Sequence, residues 1–571
     1  HQALPGATIM VEDLHTGVTS DVNGFYTLPN MKPGTYKVKV SYVGYSPKTY
    51  VIKLVGKNVE RNIILSEGNE LKEVVVNGAF YGQRKALQMQ KENMGVTNVV
   101  SADQVGKFPD SNIGDALKRI NGINVQYDQG EARFGQVRGT SADLTSVTVN
   151  GNRMPSAEGD TRNVQLDLIP ADMIQTIEVN KVVTSDMDGD AIGGEINLVT
   201  KNTPSHQVLN FNVGSGYTWI SGKPQWDLAA TWGNRFFQNR LGIMASASYQ
   251  YAPGGSENTE FEYEENDDKE IELKEAQVRQ YYVTRERQSY SLALDYKFNP
   301  LHKISFKGIY NRRSDWENRY RISYKKLNSK ASKQSVVLQT KAGSSDQKNA
   351  RLELQQTMDY TLDGEHQLGN LKMDWAASYS RATEERPNER YASYKYKYGK
   401  SETEFIDFGD GFQDVGDKQP YYAKSLPSLD DSHWVLDELN NSNQDIVENE
   451  WKGRLNFTLP LCKGLYGNTL KFGAKYTNKN KKRTTSFFDY DPEEVLGDDW
   501  RSNTSLQIRN GFMPGSQYPA NSPFISISTL GKIDFSQYEG TENYEEEAGN
   551  YKIREQITAG YLRFDQRIGK K

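Results

Sequence analysis

The chain has 571 residues, 36% of them hydrophobic, with a formal net charge of -5 and a mean hydropathy of -0.75. That length exceeds one ordinary domain, the small net charge speaks against nucleic-acid binding, and no run of 18 apolar residues marks a transmembrane helix. The single Cys462 excludes an intrachain disulfide framework or a multi-thiolate metal site. Low hydropathy alone suggests a solvated chain, yet 34 Tyr, 21 Phe and 8 Trp are a large supply of rings for so polar a protein. A membrane β-barrel has this composition, because its strands alternate lipid-facing and lumen-facing residues and the average hides the apolar half.

Residues 4–66 alternate like a small antiparallel sandwich. A strand is expected at 8–11, a turn at Pro33-Gly34, and then one face of Tyr36, Val38, Val40 and Tyr42 against Lys37, Lys39 and Ser41. Residues 67–95 are polar apart from Glu73-Val74-Val75-Val76. Residues 96–201 read as a compact α/β unit. Its helix is expected over 113–120, stopped by Asn121-Gly122, where glycine supplies a left-handed C-cap. A strand at 146–149 runs into Asn150-Gly151, a hairpin turn signal.

From about 206 the chain becomes a string of period-2 segments, ten in all. Trp226, Leu228, Ala230 and Trp232 share one face, as do Tyr290, Leu292, Leu294, Tyr296 and Phe298; the tenth segment lies near 557–564. The links alternate short and long. Short ones fall at 238–240, 299–301, 363–365 and 462–467; longer ones are expected at 253–279, 326–348, 385–447 and 487–551, while the first, near 219–224, is brief. This asymmetry matches tight periplasmic turns and extended outer loops; a soluble sandwich or propeller is the alternative. Ile568-Gly569-Lys570-Lys571 reads as one more periplasmic turn, so the barrel is expected to be cut short there.

Two stretches carry a family resemblance. "GVTSDVNGFYTLPNMKPGTYKVKVSYVGYSPKTYVIKL" resembles the carboxypeptidase-regulatory-like domain at the front of many Bacteroidota outer-membrane receptors. Four blocks resemble the plug of TonB-dependent receptors: "NIGDALKRINGINV" at 112–125, Arg138-Gly139, the run 147–151 ending in Asn150-Gly151, and "IPADMIQTIEVNKVVTSDMDGDAIGGEINLVTK" at 169–201. The resemblance implies a mainly β protein: a β-sandwich (1–66), a linker with a TonB-box-like segment (67–95), an α/β plug domain (96–201), and part of a large antiparallel transmembrane β-barrel (202–571). It implies a full barrel of about 22 strands, a place in the outer membrane of a Gram-negative bacterium, and active import of an external ligand.

The outer membrane has no ATP, so work must arrive through a periplasmic TonB-type energy-coupling protein that grips an extended segment by strand addition. Glu73, Val74, Val75 and Val76 fit that segment, being rich in β-branched residues and placed just before the plug; the alternative is the last strand of the sandwich. In the plug, Gly189, Gly193 and Gly194 would permit tight turns and close approach to the barrel wall. Arg138 and Glu178 are either an internal ion pair or separately solvated. After Val179, Asn180-Lys181-Val182-Val183 departs from the common family pattern and, with "DMDGD", resembles a subgroup whose members often import carbohydrates.

Asp186, Asp188 and Asp190 do not fit an EF-hand, since glycine falls at position four and Asn197 at twelve. No H-E-x-x-H, phosphate-binding loop or nucleophile elbow occurs. No enzyme activity, cofactor or metal is therefore expected. Tyr394, Tyr396 and Tyr398 alternate with lysines and would either contact a ligand or pack within a loop hairpin. The other partners expected are outer-membrane lipid and the external ligand, with room for a surface lipoprotein. Siderophore, cobalamin-like and peptide cargoes stay open, as do a signalling receptor without transport and an adhesin.

Overall fold

A computed structural model of the chain describes residues 3–14, 16–21, 23–29, 31–42, 45–56, 59–67, 84, 86–91, 93, 95–101, 112–327, 334–397, 428–461, 468–505 and 523–566. At the front, β1 (Thr8–Val11), β2 (Thr16–Thr19), β3 (Gly34–Ser41) and β4 (Lys48–Leu54) form an antiparallel sheet in the order β2-β1-β3-β4. Alternation buries Ile9, Val11, Val38 and Val40 with Tyr42 and Leu65 on one face, as period-2 residues on a half-covered sheet must.

The next unit is built on β5 (Thr97–Ser101), a helix α1 (Ile113–Leu117), a hairpin of β6 (Ile123–Asp128) and β7 (Glu131–Val137), then β8 (Thr145–Val149), β9 (Asn152–Arg153), β10 (Ile174–Asn180) and β11 (Gly194–Thr200). Five strands make one mixed sheet, β9-β8-β11-β10-β5, in which only the β8–β11 pair is parallel. Asn150 (φ 52°) and Gly151 (φ 79°) form the β8–β9 turn. The helix stops three residues short of expectation. Its Asn112 side chain caps the start by accepting from Asp115 N–H, but Arg119 and Ile120 donate to Ala116 and Leu117, three residues back. That tightening ends the α-helix before Gly122 takes its left-handed φ of 76°.

The remaining strands are β12 (Val208–Thr218), β13 (Lys223–Phe236), β14 (Leu241–Glu265), β15 (Ile271–Asn299), β16 (His302–Lys325), β17 (Ser335–Ala342), β18 (Arg351–Leu368), β19 (Leu371–Lys397), β20 (Trp434–Pro460), β21 (Thr469–Asp489) and β22 (Tyr551–Asp565). They pair antiparallel in sequence order. The ten expected strands are present, and β17 with β18 is one ladder position interrupted. β17 pairs with the top of β16, and β18 with the rest. The excursion between them is pinched at its base, where a Cβ on Gly343 would lie 2.1 Å from Ala350 O.

Two expectations are corrected. The link placed at 363–365 lies inside β18, and the turn falls at 369–370. Gly364 marks close packing instead: a Cβ there would meet Trp375 Nε1 at 2.4 Å. The loops expected at 253–279 and 385–447 are also shorter, because β14 and β15 run for 25 and 29 residues and β19 and β20 for 27 each, whereas the link expected at 487–551 falls where it was placed. A membrane-spanning strand needs only about 9–11. Apolar side chains exposed on the outer face fill just the lower part, such as Tyr290, Leu292, Tyr296 and Phe298. Above that belt both faces meet water or protein, so apolar alternation stops while backbone pairing continues.

Replacing Leu292 by Arg, in the middle of the lipid-facing belt, should weaken insertion by about 2–4 kcal/mol. Folding equilibrium into bilayers measures this; an unchanged equilibrium would remove that strand from the membrane.

Candidate functional site

On each long strand alternate residues face inward, so charges two apart form columns. Arg285 and Arg287 stand on β15, Arg313, Asp315 and Glu317 on β16, Arg351 and Glu353 on β18, Glu384 and Arg386 on β19. Neighbouring columns interlock: Arg285 Nε lies 2.7 Å from Asp315, Arg313 Nη2 lies 2.8 Å from Glu353, and Arg386 Nη2 lies 2.9 Å from both Glu353 and Glu384.

The α/β unit inserts two carboxylates into this lattice. Glu131, at the start of β7, pairs with Arg287 and, at 3.0 Å, with Arg285. Burial alone would raise the Glu131 carboxyl, but the Arg287 and Arg285 guanidiniums hold it down at about 2. Asp167 pairs with Arg313, and its backbone carbonyl accepts from Arg287 Nε at 2.9 Å. Gln129, at the hairpin tip, accepts from Arg285 at 2.9 Å and donates to Glu317 at 2.7 Å. Arg287 and Arg313 are 1% and 2% exposed, so these are desolvated ion pairs in which removal of one partner strands the other.

A second set of contacts holds the opposite side. Asp186 pairs with Arg563 of β22 at 2.8 Å, Asp188 with Lys475 of β21 at 2.5 Å and Asp160 with Arg483 of β21, while Asp190 pairs within the unit with Arg153 of β9. The three aspartates of the 186–190 run therefore each have a basic partner, and among the described residues no carboxylate cluster could hold a metal. These pairs are more exposed than the Arg313 cluster; Asp160 is 84% exposed.

Between the sheet and β19–β22 lies a polar cavity of about 590 Å³. Glu178, Asn180, Glu195 and Asn197 line its sheet side, Lys452 and Lys475 its wall. Asn197 donates to Glu178 and Asn180 to Glu195, each at 2.9 Å; burial pushes both glutamates up from the usual carboxylate range. Arg138 does not pair with Glu178. Its guanidinium donates to Gly193 O at 3.3 Å, and its own φ is 55° ahead of Gly139 at 75°. Gly193 and Gly194 allow close approach, but to the unit's own strands: added Cβ atoms would meet Thr140 Oγ1 at 2.2 Å, and Val137 Cγ1 and Asn180 O at 2.8 Å. Gly189 has open space around it, whereas Gly151 does face the wall, with Arg454 Nη1 3.1 Å from an added Cβ.

Glu73, Val74, Val75 and Val76 lie outside the described residues, as does Tyr398. Residues 86–91 are helical and touch both neighbours. Gln90 accepts from Val99 N–H on the edge strand β5 at 3.1 Å, and Arg84 lies over the Tyr42 ring at 5.5 Å.

Tyr394 and Tyr396 point away from the lumen. An extra residue at Pro387-Asn388 (Asn388 φ 51°) shifts the β19 register. Inward residues are Glu384 and Arg386 below the shift, but Glu389 and Tyr391 above it. Tyr394 thus joins Tyr320, Ile322, Leu338 and Trp434 on the outer face, beneath Trp500 and Phe524 of the 490–550 excursion.

The residues that sequence reasoning missed are the inward columns themselves. Once the lipid-facing parity of β15 is read, Arg285 and Arg287 follow by alternation; nothing local to Asp167 announces its partner 146 residues away.

Comparison with known proteins matches residues 1–76 to the CarboxypepD_reg-like domain and residues 90–195 to the TonB-dependent Receptor Plug Domain. "TonB-dependent receptor P26" of Formosa agariphila is 30% identical over 190 residues, 32% of this chain and 18% of that protein. The chain thus spans under a fifth of the length of that relative. Similar solved structures include the unliganded ferric citrate transporter FecA (TM-score 0.32, 12% identity, 70% of this chain and 61% of that one). Another is a point mutant of the ferric enterobactin receptor PfeA of Pseudomonas aeruginosa (TM-score 0.34, 11% identity, 71% and 70%).

Arg313→Met leaves Asp167 buried without its cation and should destabilise the seating by about 3–5 kcal/mol. Protease cleavage of the inserted unit in native membranes should rise sharply; unchanged protection would show that the ion pair does not hold it.

Proposed function

From a chain that carries the plug of a TonB-dependent receptor, seated against the wall of an outer-membrane barrel, we propose ligand-gated, energy-coupled import across that membrane, with a carbohydrate as cargo. The observation that carries the reading is the seat itself. The plug is fixed by desolvated ion pairs on one side, so thermal motion does not clear the lumen and external work is needed.

The coupling segment is Glu73-Val74-Val75-Val76. A periplasmic TonB-type protein adds a strand to it and pulls, since an extended segment offers free backbone donors and acceptors. Tension reaches residues 86–91 next, then β5. That strand is the edge of the plug sheet, held by a five-residue ladder to β10, and it yields before the Arg285–Arg287–Arg313 clamp. The glycines at 193 and 194 and the Asn150-Gly151 turn keep the rest of the sheet compact. Loop 186–190, tied by more exposed pairs, is the side on which a passage along the polar cavity widens.

The carbohydrate assignment is supported by the "DMDGD" variant of the plug motif and by the polar lining of that cavity.

Val75→Pro removes a backbone donor and disfavours strand pairing. Labelled-ligand accumulation should fall by about tenfold or more in cells carrying it, with surface binding retained. Full accumulation by correctly inserted protein would remove the segment from the mechanism.

A further inference from the structure

Above the plug tip the inward wall changes character. Glu317 receives Gln129 of the plug, and the next two inward residues on β16 are Arg319 and Arg321. Cross-strand partners place Tyr281 beside Arg319, and Gln339 beside Arg321. Lys341 links Arg319 to Tyr391. Four adjacent strands therefore present guanidiniums, phenols and a carboxamide to one patch of the lumen.

Most of its charge is already matched. Lys341 lies 2.8 Å from Glu317 and 3.1 Å from Glu389. Glu438 accepts from Gln339 at 2.6 Å and from Asn440 at 2.8 Å. Arg279 is held by Asn258 and Glu260. Arg319 donates to Gln339 at 2.6 Å and its guanidinium carbon stands 5.5 Å from the Tyr391 ring centre. The Tyr391 hydroxyl is turned to Glu389 at 2.6 Å, which leaves its ring between Arg319 and Lys341.

Arg321 is the exception. It is half-buried, its Nε, like that of Arg319, is buried with no hydrogen-bond partner, and among the described residues it has no ion pair; Glu275 and Glu438 act on it only at longer range. These two carboxylates offset the repulsion from Arg319 without touching Arg321, so its fork still has no contacting anion. The planar fork of arginine matches an oxyanion with two acceptor oxygens in its plane, and the neighbouring Tyr281 ring can pack against a sugar ring.

Resting on the import reading, we propose that the cargo is an acidic saccharide. Arg321, with Arg319, takes its carboxylate or sulfate group directly above the plug tip, and Tyr281 packs against the ring that bears it. The same contact couples recognition to the plug, since Arg319 and Glu317 are successive inward residues of one strand.

The test is calorimetric binding to the protein purified from outer membranes in detergent at low salt. The probes are oligogalacturonides, sulfated galactan oligosaccharides, and neutral cello-oligosaccharides of equal length. At least one acidic series should bind about ten or more times tighter than the neutral one; the better of the two identifies carboxylate or sulfate as the group recognised. Arg321→Gln should remove about tenfold of that preference, and Arg321→Lys should restore part of it, with the melting temperature unchanged. Equal affinity for neutral and acidic probes, no binding of either acidic series, or an unaltered preference in Arg321→Gln would overturn the proposal. Binding needs no energy source, so acidic selectivity without import defeats the transport reading alone, and import without selectivity defeats only this one.

Discussion

Glu131 and Asp167 are carried on the inserted unit, away from bulk water, and each meets a buried guanidinium of the wall. Everything else in the lumen follows from that constraint. A strand period of two puts apolar residues toward lipid and polar ones inward on every strand, and the inward charges must then be matched by neighbours or by the plug. Arg285 and Arg313 are matched by both, and Arg287 by the plug's Glu131. The plug is in this sense part of the wall's electrostatics, and its departure would leave Arg287 without a carboxylate and Arg285 and Arg313 with one wall partner each. Seating and sealing are one interaction.

The two sides of the plug differ in kind. Around Arg313 the pairs are buried and cross-linked through Glu353, so breaking one exposes others. Around Asp160 and Asp186–Asp190 the pairs are more exposed, and exposed pairs contribute little each. A pull from the N-terminal side meets neither first. It meets β5, an edge strand whose one neighbour is β10 and whose Val99 N–H is capped by Gln90. Such a pull would load this edge ladder ahead of the buried clamp.

Much of the architecture was legible because alternation and turn chemistry are local. The ten barrel strands, the Asn150-Gly151 turn and the short turn around Pro300 all follow from such signals. The misplaced turn at Gly364 shows their limit: glycine there makes room for Trp375, a packing role that reads like a turn in sequence. The upper part of β14 and the start of β15 read as a loop because alternation vanishes once a strand leaves lipid. Tyr394 was unreadable for a sharper reason. One extra residue at Pro387-Asn388 decides which face it occupies, and the register of β19 is set by β20, across a long connection. The plug–wall pairs join residues more than a hundred positions apart, beyond any motif.

The most direct test of this account is to pull on the linker before the plug with the protein held in a bilayer, recording released length. The first rupture should free chain from β5 no further than Glu131, roughly 120 Å at ~3.5 Å per residue, with the rest of the plug still seated. A single rupture that withdraws the whole plug, through β11, would contradict it.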